Sequence, residues 1–121
     1  MPYSAYVLSD QSRTLLLERY TPRFPEVIAH HITHQFPNQV APPPISKVEV
    51  VGYASDDRIE CLVVSIDGVI KRPSGGYYHI TLSLDRAQKA KPVHSNHILK
   101  RGWETHEEPF VIEVTPELLG L

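Results

Sequence analysis

A chain of 121 residues with 12 Lys and Arg against 14 Asp and Glu carries a formal net charge of −2. That excludes the broad basic surface that grips long duplex nucleic acid by counterion release. A single cysteine, Cys61, excludes an internal disulfide and a cysteine cage for zinc, and its apolar setting in IECLVVSI predicts a buried, unreactive thiol in a reducing compartment. No run approaches about 18 consecutive apolar residues. The opening MPYSAYVLSD has neither the basic flank nor the apolar stretch of a signal peptide, so a single cytoplasmic domain without a membrane span is expected.

In chain order, YSAYVL (3–8) alternates and is rich in aromatic and β-branched residues, predicting a first strand. SDQSRTLLLERY (9–20) predicts a helix capped by Ser9 or Asp10 and ended by the prolines of TPRFP. EVIAHHITHQF (26–36) predicts a second strand, and PNQVAPPPIS (37–46) a stiff, extended connector. KVEVVGYAS (47–55) and RIECLVVSI (58–66), parted by two aspartates, predict a hairpin. DGVIKRPSGG (67–76) predicts a loop, and YYHITLSLD (77–85) a strand. Within the ambiguous segment 86–109, Ser95 is placed to cap a short helix on NHILKRG that Gly102 closes; FVIEVTPELL (110–119) predicts a last strand and tail. About six strands with hairpin-like connections and one or two helices define an α+β class with mostly antiparallel sheet.

The triplet His-Ile-Thr occurs twice, at 31–33 and 79–81, both times on a predicted strand. Residues two apart on a strand share a face, so His31 lies beside Thr33 and His79 beside Thr81, while the isoleucines point the other way. Two imidazoles and two hydroxyls brought to one point suit phosphodiester chemistry. One ring takes a proton from the attacking oxygen and the other gives one to the leaving oxygen, since histidine titrates near pH about 6.5. The threonine hydroxyls stabilise charge on the non-bridging oxygens. Neither a metal nor another cofactor is required by this arrangement.

HITHQF and HITLSL resemble the paired His-hydrophobic-Thr/Ser-hydrophobic signature of the two-histidine (2H) phosphoesterase superfamily, with His31, not His30 or His34, as the first-motif histidine. His34 stands where that pattern has an apolar residue, and the short chain resembles a pared-down version, of the small RNA-repair-associated or phage-type branch. The resemblance implies a compact, pseudo-symmetric fold of two lobes around a central groove, with lobe one at roughly 1–40, the Pro-rich connector at 41–46 and the remainder at 47–121. It implies metal-independent hydrolysis of a small or terminal phosphodiester: a 2′,3′-cyclic nucleotide, an RNA end, or a cyclic nucleotide signal. The expected partner is therefore a nucleotide or RNA end, not long duplex and not a membrane. A module that binds the same ligands without cleaving them is the alternative from another class.

Further substrate contacts are predicted from Lys71 and Arg72 in the loop before the second motif, with Gly75 and Gly76 allowing close backbone approach. Tyr77 and Ser83 should share the face of His79, and His97 or Asn96 should line the groove mouth. Tyr3 and Tyr6 read as structural, Trp103 as a core anchor, and His106 as solvated. His94 and His97 are helix neighbours at the spacing of a metal pair, but the sequence offers no clear third ligand.

Overall fold

The computed structural model describes residues 1–121. β1 (Tyr3–Leu8) leads into α1 (Asp10–Arg19), whose free N–H groups are capped as expected: Ser12 N–H donates to Ser9 Oγ at 3.1 Å. Then come β2 (Glu26–Val27), β3 (His31–Gln35), β4 (Val48–Ser55), β5 (Ile59–Ile66) and β6 (His79–Leu84). A 3₁₀ turn (Arg86–Gln88), α2 (His94–Leu99), β7 (Glu104–Ile112) and β8 (Val114–Leu119) complete the chain. All pairings are antiparallel in one sheet of order β7-β4-β5-β6-β3-β1-β8, with β2 paired to β6. The class is α+β, dominated by antiparallel sheet.

Three expected elements differ. The predicted strand 26–36 is broken at Ala29, which takes φ 42°. Ile28 and Ala29 N–H still donate to Leu82 and Thr81 carbonyls at 2.9 Å, so the chain stays bonded to β6 while it turns into β3. The predicted last strand 110–119 is two strands: β7 begins at Glu104 and pairs with β4, whereas β8 pairs with β1 at the other end of the sheet order. One residue, Glu113, parts them, so the sheet curls until its edges meet there; Glu113 N–H donates to Ser12 Oγ at 2.7 Å and pins α1 to the seam. Ser95 lies inside α2 and does not cap it; Val93 is the N-cap.

β5 and β6 are buried along their whole length, and their alternate residues feed two cores. Leu62, Val64, Ile80 and Leu82 join Ile32 and Leu16 of α1 in one. Cys61 and Val63 join Ile98 and Leu99 of α2 in the other, with Tyr77 and Trp103 packed against it. Burial pushes the Cys61 thiol up to about 12. No helix is long and apolar enough to cross a membrane.

Candidate active site

β3 and β6 meet through one Cα pair, Ile32 opposite Ile80, the middle residues of the two triplets. Both isoleucines are fully buried. In an antiparallel pair of this register His31 falls beside Thr81, and Thr33 beside His79, on the face opposite the isoleucines. The two rings thus sit at diagonal corners of a square whose other corners are hydroxyls. All four residues line one cavity of about 550 Å³.

His79 is 9% exposed, and its Nδ1 lies 2.9 Å from the Tyr77 carbonyl. A carbonyl only accepts, so Nδ1 carries the proton and Nε2 is left bare in the neutral ring. Burial, offset by that bond and reinforced by Arg72, lowers its pKa to about 4. His31 is lowered to about 4 as well, by burial and by the rings of His30 and His79. Both are therefore neutral near pH 7. Thr81 Oγ1 lies 2.9 Å from Ser95 Oγ of α2, which is fully buried.

Of the two basic loop residues, Arg72 lines the cavity and Lys71 does not. The loop closes as a hairpin, with Lys71 bridged to Tyr77, and neighbouring side chains on such an arm point opposite ways. Arg72 Nε donates to Gly75 O at 3.0 Å and its Nη2 to Asn96 Oδ1 at 3.2 Å. A Cβ on Gly76, which takes φ 76°, would sit 3.0 Å from that same nitrogen. Neither ion pair of the chain involves Arg72, so the cavity holds a half-buried cation with no carboxylate beside it.

Three other predicted contacts fall elsewhere. Ser83 is fully buried: it donates to Glu60 Oε2 and accepts from Phe24 N–H, because a register shift between Glu60 and Cys61 turns that carboxylate toward it. Tyr77 packs edge-on against Trp103, centroids 4.6 Å apart, and only its carbonyl serves the site. His97 is exposed beside His94, centroids 5.4 Å apart; with α2 starting at His94, helical rotation sends Asn96 to the cavity and His97 to solvent. No group of three or more His, Cys, Asp or Glu side chains gathers as a metal site. His106, expected in solvent, stacks on Tyr20 and hydrogen-bonds its hydroxyl.

The chain matches no family model, no curated protein and no solved structure. The site therefore rests on its own residues, and Tyr3 and Phe36 join the expected set there. Tyr3, read as structural, lies 5.7 Å from the His31 ring and 5.5 Å from that of Phe36. Phe36 is 54% exposed, and with Ile28 and Val93 these rings give the cavity an apolar wall. The one local signal was an aromatic closing the HITHQF run; the approach of Tyr3 depends on the pairing of β1 with β3.

Proposed function

We propose that this chain is a two-histidine phosphodiesterase acting on a nucleotide or on the end of an RNA strand. The observation that carries the reading is the opposition of Ile32 and Ile80, which puts both His-x-Thr pairs into one cavity. Arg72 supports it, since an unneutralised guanidinium in a cleft is an anion site, and phosphate takes its forked donors well. The cavity volume of about 550 Å³ lies within the range of small-ligand sites. Tyr3 and Phe36 supply aromatic faces at the cavity, and a base stacks on one of them.

In this reading β1, β3 and β8 form one lobe and β4 to β7 the other, so β8 leaves the remainder 47–121 for lobe one because it pairs with β1, and the motif strands meet at the groove floor. The phosphate sits over the square of side chains, its non-bridging oxygens taking hydrogen bonds from Thr33, Thr81 and Arg72. One imidazole removes a proton from the attacking water as the oxygen–phosphorus bond forms. The other protonates the departing ribose oxygen as the old bond breaks, which gives a phosphomonoester. The negative substrate offsets the burial that keeps both rings neutral, so the acid acquires its proton with the ligand present.

The test is incubation with 2′,3′-cyclic nucleotides and cyclic dinucleotides, resolved by chromatography, with and without chelator. Hydrolysis with a bell-shaped pH profile is expected, unchanged by chelator. His31→Ala and His79→Ala should each lose about 10²- to 10⁴-fold in kcat while circular dichroism stays native. Ligands that bind and return intact would make this a capture module; activity surviving both substitutions would end the two-histidine mechanism.

A further inference from the structure

His79 has its Nδ1 proton held by a main-chain carbonyl, an acceptor that cannot titrate. His31 has no such partner. Its Nδ1 lies 3.0 Å from Nδ1 of His30, with the rings nearly perpendicular at 79° and centroids 5.2 Å apart. His30 does not line the cavity and its side chain is exposed, so it is not a substrate contact. Its backbone is fixed: its carbonyl accepts from Leu8 N–H at 2.9 Å, and the turn at Ala29 just before it aims two successive histidines so that their rings meet.

A nitrogen–nitrogen contact at this distance contains one hydrogen. We propose that His30 is the positioning residue of His31: neutral His30 accepts the Nδ1–H of His31 and leaves Nε2 of His31 as the nitrogen that exchanges protons with substrate. The role rests on the hydrolytic reading above and extends it. It matches, with a side chain, what the Tyr77 carbonyl does for His79. It also makes the two halves of the site unequal. Around the His31 ring the other charged or titratable groups are His79 across the cavity, Arg72 from the loop and Tyr3 on β1, and Arg13 of α1 donates to Ala29 O at 3.0 Å. None is a carboxylate, and none but His30 bonds to the His31 ring.

The decisive readout is the tautomer of His31 in the free protein at pH 7.5, from two-bond ¹⁵N–¹H correlation spectra. Wild type should carry the proton on Nδ1, His30→Asn should keep it there because Asn Oδ1 accepts in the same place, and His30→Phe should shift it toward Nε2. Kinetics with 2′,3′-cyclic AMP should then show His30→Phe losing about ten- to a hundredfold in kcat, KM holding within about twofold. His30→Asn should keep most activity. A His31 tautomer that is Nε2–H in wild type, or unmoved in His30→Phe, overturns the proposal. If wild type returns the whole panel of 2′,3′-cyclic nucleotides and cyclic dinucleotides unchanged while the tautomer shifts as described, the hydrolytic reading falls and the placement of the His31 proton by His30 stands.

Discussion

Lowering the pH should loosen this protein through its own site. His79 and His31 titrate at about 6.5 in the unfolded chain and at about 4 in the folded one, because their cavity disfavours the charged ring. Above pH about 6.5 both states are neutral and pH has no effect through these groups. Between there and pH about 4 the unfolded chain binds more protons, so stability falls as pH falls, at up to 1.36 kcal/mol per pH unit per ring. Across the whole window that is about 3 kcal/mol for His79 alone, a large part of the 5–15 kcal/mol that holds a typical domain together. Carboxylates also titrate at the acid end, so the comparison is with His79→Asn, whose amide nitrogen keeps a donor for the Tyr77 carbonyl and carries no titratable proton. Urea unfolding followed by Trp103 fluorescence from pH 7.5 to 4 should show wild type losing about 3 kcal/mol more than the variant, with the curves parallel above pH 7. Parallel curves throughout would mean that His79 is solvated, and the cavity would then not be the desolvated site described.

Arg72→Met should weaken binding of inorganic phosphate about tenfold to a hundredfold by calorimetry, the worth of one charge-assisted contact, and should raise the His79 pKa by NMR because the guanidinium now lowers it. Phe36→Ala should leave the melting temperature within about 2 °C, since the ring is largely exposed, yet weaken a bound nucleotide about tenfold while inorganic phosphate binds unchanged. Glu60→Ala strands three donors, Ser83 Oγ–H, Tyr53 O–H and Arg23 N–H, and should cost about 3 kcal/mol or more in denaturant unfolding, whereas an exposed Glu107→Ala should cost less than about 0.5 kcal/mol.

Much of this was legible in one dimension because its causes are local. Ser9 caps α1 because a serine before a helical window accepts from the first turn, whatever the rest of the chain does. Asp56 closes the β4–β5 hairpin by accepting from Arg58 and Ile59 N–H, as an aspartate in a tight turn does. The sharing of a face by His79 and Thr81 follows from strand geometry alone. Ser83 shows where that rule stops. The alternation puts it with His79, but the register shift beside Glu60 gives it a buried carboxylate, and the order of β5 against β6 is not written in either segment.

What the residues by themselves determined is the inventory: two strands each carrying an imidazole and a hydroxyl on one side and isoleucine on the other, since side-chain period is a property of the backbone. Tertiary structure decided which copies of common residues serve the site. Arg72 over Lys71, Asn96 over His97, Tyr3 beside His31 and the contact of His30 with His31 all depend on antiparallel pairings and a helix start that join segments far apart in sequence. Such pairings are selected by burial of Ile32 against Ile80 and the core around them, a long-range free energy that no short window of sequence contains.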